Sequence, residues 1–193
     1  MISARATRQP ARERILDAAT RLFYERGIAR TGIDLIIDEA GIAKASLYNS
    51  FSSKNDLVAT YLEVVRDKWM AQITVHADRH GVSVATPFDV LGESVDSGEF
   101  HGCPFLNALS EMADDPGVIR EVAAYRQQVR QFFSQSVDTS VSEADFENIL
   151  DTLALVHDGA YMACKAERSS RPAQLASVLA QSIVEDASKE KSR

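Results

Sequence analysis

Apolar residues recur at spacings of three and four along most of the chain, which is the period of one face of an α-helix. Between Pro10 and Gly27 the apolar positions are Ile15, Ala18, Ala19, Leu22 and Phe23. Proline favours the first turn of a helix and glycine the position after its last turn, so these two residues mark the ends. The sequence shows no strand-like alternation of apolar and polar residues. The pattern therefore predicts an all-α protein.

The same signals divide the rest of the chain, and they predict about nine helices in total. The later segments lie at about 33–40, 44–51, 53–79, 87–95, 103–112, 115–133, 142–167 and 172–187. Thr31 followed by Asp34, and Ser53 followed by Asp56, have the spacing of N-terminal capping pairs. We therefore expect these pairs to begin the second and fourth helices.

Two short helices joined by a tight turn at Gly41 are typical of a helix-turn-helix. Glycine adopts the left-handed conformation that such a turn needs without strain. A small core can form from Leu16, Leu22, Phe23, Ile36, Ile37, Ala40, Ile42, Leu47 and Phe51. The outer side of the second helix then carries Lys44, Ala45, Ser46, Tyr48 and Asn49. Small residues let a helix approach the major groove closely, and polar tips can reach bases or phosphates.

Charge is distributed unevenly along the chain. The formal net charge is −7, but residues 1–54 carry nine Lys or Arg and six Asp or Glu. This N-terminal segment is therefore basic, and residues 55–193 are acidic. Exposed charges are screened beyond about 8 Å at physiological salt, so a basic segment can attract phosphate locally despite an acidic remainder. The charge distribution is consistent with nucleic-acid binding by one face.

The composition argues against several classes of protein. Two cysteines are too few for a disulfide framework, and no run of about 18 apolar residues is present to span a membrane. The Arg-rich N-terminus lacks the apolar segment of a secretory signal. His101, Cys103, His157 and Cys164 suggest a metal site, but they show neither CxxC nor HxxxH spacing. We expect a cytoplasmic protein without metal or cofactor.

Three motifs resemble the N-terminal signature of the TetR/AcrR family of transcriptional regulators. They are Thr31-Gly32-Ile33, Ala40-Gly41-Ile42 and Ala45-Ser46-Leu47-Tyr48-x-x-Phe51-x-x-Lys54, within a resemblance that covers residues 12–57. Ala43 departs from the family pattern because it replaces the usual serine cap, whose loss removes about 0.5–2 kcal/mol; Ile37 stands where alanine is common. The resemblance implies a helix-turn-helix DNA-binding domain at 1–54, an effector-binding and dimerisation domain at 55–193, and a repressor that binds double-stranded operator DNA.

The resemblance also implies roles for single residues. Thr31 would present its hydroxyl and a helix N-terminus to phosphate, and Lys54 would hold a flanking phosphate. Lys44 and Asn49 would approach base edges, while Tyr48 would donate to a backbone phosphate. Ala45 and Ser46 would allow close approach, and Arg5, Arg8 and Arg12 would add non-specific contacts.

The family pattern assigns homodimerisation to the last two helices. Apolar stripes support this assignment, because a helix pair can build a four-helix interface with a second copy. The expected interface residues are Leu175, Val178, Leu179, Ile183 and Val184 on the last helix, and Leu150, Leu153, Ala154, Ala160 and Ala163 on the one before. Alternatively, these stripes pack only within one subunit.

A segment with the pattern Gly-Cys-x-x-x-Asn resembles a branch of the family that includes NemR-type repressors, which sense electrophiles or oxidants. Cys103 would begin a helix, where unpaired N–H groups and the helix dipole favour a thiolate. Lys165 stands where a lysine of that branch approaches the cysteine, and Asn107 completes the pattern. The hypothesis is a reactive sensor at Cys103, and the alternative is a buried structural cysteine beside a surface lysine.

His157, Tyr161 and Cys164 share one helix face, where they either line an effector pocket or fill the bundle. Two functions from other classes remain open. A catalyst would use Cys103 with His101 or His157, but no recognisable spacing supplies an oxyanion site or an orienting carboxylate. The second alternative is a thiol-reactive sensor or interaction module without DNA binding. The polar residues on the outer side of the helix-turn-helix argue against this alternative.

Overall fold

A computed structural model describes residues 9–139 and 141–190, which form nine α-helices and no β-strand. The helices are α1 Ala11–Arg26, α2 Ile33–Ala40, α3 Lys44–Ser50, α4 Lys54–His80, α5 Thr86–Asp96, α6 Pro104–Glu111, α7 Pro116–Ser134, α8 Glu143–Glu167 and α9 Arg171–Glu190. The predicted all-α class is confirmed, and each predicted segment corresponds to one helix within a few residues.

Helices α1, α2 and α3 form the head of the molecule, in which α1 packs against both short helices. Ile15, Leu22, Ile36 and Leu47 are at most 1% exposed at its centre. The core continues into α4, because the Phe23 ring meets the Tyr61 ring edge-on at 5.4 Å between centroids. The first turns of α4 therefore complete the core that supports the head.

Helices α4 to α9 form the body. Helix α4 packs against α5 and α7, while α9 packs against α5 and α8, so the bundle closes around a shared apolar interior. The largest side chains sealed in this interior include Phe88, Leu91, Phe133 and Leu153. Helix α6 is short and lies against α4 and α7 on the side that faces the head. The last residue of this short helix reaches the loop between α1 and α2.

Side-chain caps fix several helix starts. Ser53 accepts a hydrogen bond from the Asp56 amide at 3.1 Å, and this predicted cap of α4 is confirmed. Asp115 and Ser142 cap α7 and α8 in the same way. The predicted cap of α2 is wrong, because Gly32 and not Thr31 occupies the N-cap position and makes no side-chain cap.

Both cysteines are buried and unpaired. Among the described residues, no helix is long and apolar enough to cross a membrane. In that same part of the chain, no three His, Cys, Asp or Glu side chains come together in an arrangement that would hold a metal ion.

Candidate functional site

Helix α3 has one side that packs into the core of the head and one side that faces solvent. Leu47 is fully buried and Phe51, just after the helix, is 2% exposed. Lys44, Ala45, Tyr48 and Asn49 are exposed, and Ser46 is half-buried. Because α3 is anchored by its apolar side, its polar side is presented outward as one surface. We call Lys44, Ala45, Ser46, Tyr48 and Asn49 the reading face.

The turn before α3 is fixed by backbone conformation and by an arginine. Gly41 ends α2 with φ 59° and ψ 47°, the left-handed conformation that glycine tolerates. The Arg14 guanidinium donates to the Ala40 carbonyl, with Nε at 3.0 Å, and to the Gly41 carbonyl. A cation at these carbonyls complements the negative end of the α2 dipole. Arg14 therefore orients the reading face from behind, a role that sequence reasoning missed.

Lys44 has an acidic partner in the head. Its Nζ lies 3.0 Å from Asp34 Oδ1, and the hydrogen bond to this carboxylate raises the pKa of Lys44. Both side chains are more than half exposed, at 62% and 82%. Exposed pairs of this kind contribute little free energy, so the lysine can exchange Asp34 for another anion.

Two residues expected at phosphate donate hydrogen bonds to backbone carbonyls of the head. Thr31 is fully buried, and its hydroxyl donates to the Gly27 carbonyl at 2.8 Å. Lys54 Nζ donates to the Ile28 carbonyl at 2.6 Å, and partial burial lowers its pKa. Both side chains brace the loop between α1 and α2. The Thr31 hydroxyl is therefore enclosed by the protein and does not face phosphate, whereas Lys54 is only partly buried and its phosphate contact stays a prediction.

The N-terminal arginines are only partly described. Arg12 is exposed, and its guanidinium carbon lies 5.0 Å from the centre of the Phe51 ring, a cation–π contact. This contact keeps a cation beside the C-terminal end of α3. The expected contributions of Arg5 and Arg8 lie outside the described residues.

Three hydrogen bonds link the head to the body beside the apolar packing of α1 on α4, and we call them the head–body latch. Glu111, the last residue of α6, accepts a hydrogen bond from the Ala29 amide at 2.6 Å. Lys54 holds Ile28, as described above, and the Tyr24 hydroxyl accepts a hydrogen bond from the His101 amide at 3.1 Å. Gly27 makes the Glu111 contact possible, because a Cβ there would lie 3.1 Å from a carboxylate oxygen and its φ is +88°. Sequence reasoning missed the latch, since Ala29 and Glu111 are 82 residues apart.

A cavity of about 700 Å³ opens where α1, α4 and the segment before α6 meet. Its rim includes exposed charged side chains, among them Arg21, Lys68 and Glu99. Aromatic rings line its deeper part, and they belong to Trp69, Phe105, Tyr125 and Tyr161. A second cavity of about 850 Å³ lies beside the latch, between Tyr24, Gly27, His101, Asn107, Glu111 and Lys165.

His157 and Tyr161, both expected in an effector pocket, lie on the α8 face that points into the body. His157 is 1% exposed and Tyr161 is 7% exposed. Burial lowers the pKa of His157, so its imidazole is neutral at pH 7. Tyr161 lines the 700 Å³ cavity and stands 5.0 Å from His157, measured between ring centroids. The two residues belong to one aromatic cluster.

The predicted sensor residues are only partly brought together. Lys165 Nζ donates to Asn107 Oδ1 at 2.7 Å, and its aliphatic stem lies against Gly102, where a Cβ would be 2.6 Å from Cδ. Cys103 beside it is 3% exposed, and burial raises the pKa of its thiol to about 11. Hydrogen bonds from the Phe105 and Leu106 amides act in the opposite direction but do not outweigh burial. The expected thiolate at the start of α6 is therefore corrected: the thiol is protonated at neutral pH.

An exposed apolar surface runs along α8 and α9, and its members are Leu155, Met162, Leu175, Val178 and Leu179, each at least 50% exposed. We call this surface the α8–α9 face. The expected residues on α9 are present in it, apart from Ile183 and Val184, which are half-buried. The expected α8 set is corrected, because Leu150, Leu153, Ala154 and Ala160 pack inside the subunit and Ala163 is half-buried. Leu155 and Met162 take their place.

Both parts of the chain match known families. Residues 15–61 match the family model described as "Bacterial regulatory proteins, tetR family". Residues 88–179 match "Tetracyclin repressor-like, C-terminal domain". The first match covers the head and the start of α4, and the second covers most of the body.

Single relatives agree with the family models. A TetR-family transcriptional regulator from Streptomyces coelicolor, SCO4454, is 31% identical over 93% of this chain and 96% of its own, with a TM-score of 0.75. The reduced form of NemR from E. coli has a TM-score of 0.69 over 90% of this chain and 97% of its own, but at 19% identity it shares only the fold. The HTH-type transcriptional regulator TtgR of Pseudomonas putida is 37% identical over 59 residues, which are 31% of this chain and 28% of that protein.

Proposed function

The chain belongs to the TetR family of transcriptional regulators, and from this we propose that it is a DNA-binding repressor released from its operator by a small-molecule effector. The observation that carries the proposal is the reading face, on which Lys44, Tyr48 and Asn49 are exposed while Leu47 anchors the helix. The chain would act as a regulator in the cytoplasm and not as an enzyme.

DNA reading follows from the chemistry of the reading face. An amide such as Asn49 can pair with adenine in the major groove, and a lysine such as Lys44 can approach guanine. The Tyr48 hydroxyl would donate to a phosphate, which positions the helix without reading sequence. Ala45 and Ser46 leave room for the groove wall. Arg12, exposed at the other end of α3, adds a cation near the flanking backbone.

A second copy of this chain would cover the α8–α9 face. Five large apolar side chains on two neighbouring helices form a patch of the kind that marks protein interfaces. An isologous dimer pairs this patch with itself, and it also supplies two reading faces for two half-sites about 34–36 Å apart. The dimer therefore serves DNA binding as well as burial of the patch.

The effector would bind in the 700 Å³ cavity, whose size suits a small organic molecule. The cavity wall includes the segment 99–102 and the first residues of α6, and α6 ends at Glu111 in the latch. An occupant that displaces α6 would therefore act on the loop between α1 and α2 and change the position of the head. Release requires that the effector bind the DNA-free arrangement more tightly than the DNA-bound one.

Gel-shift titration tests the proposal, with DNA upstream of the coding sequence of this protein and an unrelated duplex of equal length as the control. We expect specific binding whose affinity falls steeply between about 50 and 200 mM salt, because phosphate contacts release counterions. Equal affinity for both duplexes would contradict operator recognition.

Two matched variants separate base reading from phosphate binding. Asn49→Ala should reduce discrimination at one base pair by about 1–3 kcal/mol, whereas Tyr48→Phe should weaken binding to all sequences alike. Affinity is measured on the operator and on single-base variants of it. If Asn49→Ala leaves the order of preference unchanged, Asn49 does not read a base.

A further inference from the structure

The His157 imidazole is enclosed by five aromatic rings, and we call these six residues the aromatic cluster. The distances from the His157 ring to those of Trp69, Phe88, Tyr125, Phe133 and Tyr161 lie between 5.0 and 6.2 Å. They come from α4, α5, α7 and α8, so the cluster sits at the centre of the body.

Polar atoms inside this cluster lack partners. Neither nitrogen of His157 nor the Trp69 indole nitrogen has a hydrogen bond of normal geometry among the described residues, although the Asp158 carboxylate and the Tyr161 hydroxyl lie near them. The nearest carboxylate oxygen, on Asp158, is 3.9 Å from Nδ1, which is too far for a hydrogen bond. Unpaired polar groups in an apolar interior destabilise the fold, and an apolar side chain at this position would not carry this penalty. Packing alone therefore does not account for a histidine at this position.

Only one layer of rings separates His157 from the 700 Å³ cavity. Trp69, Tyr125 and Tyr161 line the cavity, and each also contacts His157. A molecule in the cavity would stack on these rings, and its polar edge would reach the unpaired nitrogens once the Trp69 and Tyr161 rings part. The cavity and the aromatic cluster then form one site.

The charges around this site select for a neutral occupant. The charged residues of the cavity, such as Asp17, Arg21 and Lys68, lie at its rim, away from the rings. Burial lowers the pKa of His157 and raises the pKa of Tyr125 and Tyr161, so all three side chains are uncharged at neutral pH. Asp158, next to His157, is already paired with Arg126, so a charged group at this depth would lose its hydration without gaining a free opposite charge.

Resting on the function proposed above, we propose that the effector is an uncharged, planar aromatic compound with a hydroxyl group. Its ring packs on Trp69 and Tyr161, and its hydroxyl accepts a hydrogen bond from the Trp69 indole N–H while donating one to a His157 nitrogen. One hydroxyl has the donor and acceptor capacity for both partners.

Calorimetric titration of the full chain without DNA tests this with three probes of one shape: 2-naphthol, naphthalene and 2-naphthoate. We expect 2-naphthol to bind at least tenfold more tightly than naphthalene, and 2-naphthoate to bind more weakly than either. Absence of binding by all three, equal binding of 2-naphthol and naphthalene, or tightest binding of 2-naphthoate would overturn the proposal.

His157→Phe is the decisive variant, and His101→Phe is its matched control. His101 also lines the cavity, but it is exposed and lies outside the aromatic cluster. The His157 variant should melt at a higher temperature than the wild type and bind 2-naphthol and naphthalene with affinities within threefold, while the His101 variant keeps the tenfold preference. His157→Leu, with a smaller side chain, gives the same comparison if phenylalanine overpacks the site, and a folded variant of either kind that keeps the tenfold preference would overturn the proposal. The proposal also fails if the His101 variant alone loses the preference.

Gel shifts distinguish failure of this inference from failure of the proposed function. If both hold, 2-naphthol releases the wild type from operator DNA but not the His157→Phe variant. Calorimetric binding of 2-naphthol by a protein that ignores every duplex would reject the repressor and keep the aromatic site. Specific DNA binding by a protein that does not bind 2-naphthol would reject the aromatic site and keep the repressor.

Discussion

The reading face and the aromatic cluster both contain polar side chains, but their polar atoms have opposite environments. On α3, Tyr48 is 51% exposed, and Lys44 forms an exposed ion pair with Asp34. Water can therefore form the hydrogen bonds that protein groups do not supply to these side chains. In the body, the His157 nitrogens are sealed among rings without a partner in the described part of the chain. Substitutions on the reading face should therefore change binding and leave stability unchanged, whereas those in the aromatic cluster should change both.

The largest expected effect separates the two sides of α3 itself. Leu47→Ala removes a fully buried side chain from the head core, and such changes typically cost about 2–5 kcal/mol. For a chain of this size the melting temperature should fall by roughly 4–20 °C. Thermal unfolding followed by circular dichroism measures the shift.

The neighbouring Tyr48→Ala variant is the control for this prediction. It lies on the exposed side of the same short helix, so the melting temperature should stay within about 2 °C of the wild type, consistent with a surface change of under about 0.5 kcal/mol. DNA affinity should fall in both variants, through lost structure in one and a lost contact in the other. An equally large loss of stability in Tyr48→Ala would contradict the expectation that substitutions on the reading face leave stability unchanged.

The same contrast explains what the sequence could predict. The reading face is made of residues within one short segment, and helical spacing alone separates Leu47 from Tyr48 and Asn49. Thr31 was predicted wrongly because its partner, the Gly27 carbonyl, belongs to a loop whose path the pattern does not specify. The hydrogen bond from Lys54 to the Ile28 carbonyl of the same loop was missed for the same reason. For α9, three of the five predicted interface residues are exposed, since the core-facing positions of this helix are small residues such as Ala173, Ala176 and Ala180, and the interface itself stays a prediction.

Sites assembled from distant segments were harder to predict. For Cys103, helix geometry favoured a thiolate, but the depth of burial depends on α7 and α8 and raises the thiol pKa instead. On α8 several faces are apolar, so the rotation that buries Leu153 and exposes Leu155 is set by its neighbours. The aromatic cluster draws on four helices, and only His157 and Tyr161 were expected near a pocket. Packing between distant segments determines the burial of Cys103, the rotation of α8 and the composition of the aromatic cluster.

The head–body latch predicts an intermediate effect. Glu111→Gln keeps the shape of the side chain but replaces a carboxylate acceptor by a neutral amide oxygen, which is a weaker partner for the Ala29 amide. The loss should be about 1 kcal/mol, so hydrogen exchange in the loop between α1 and α2 should become roughly fivefold faster. Mass spectrometry of peptides that cover residues 27–32 measures the exchange.

Ser110→Ala provides the control for Glu111→Gln. Ser110 is exposed on the same helix, and its hydroxyl bonds to the Leu106 carbonyl within α6. Exchange in the loop should match the wild type in this variant, while operator affinity without effector changes by less than about threefold in both. Equal acceleration in the two variants would mean that the stability of α6, and not the Glu111 carboxylate, holds the head.

The smallest effect is a pH dependence that belongs to the body alone. Burial lowers the pKa of His157 below its ordinary value of 6.5, so the unfolded chain takes up a proton that the folded chain rejects. The stability from this group is fully present above pH 6.5 and is lost as the pH falls toward the folded-state pKa. Urea unfolding between about pH 7.5 and 5.5 should show a steeper fall for the wild type than for His157→Phe. The pKa of Asp158 is lowered from 3.8, so its own loss of stability occurs below this window. Parallel curves would mean that His157 is protonated as easily in the folded chain as in water, and the aromatic cluster would then resemble the solvated reading face.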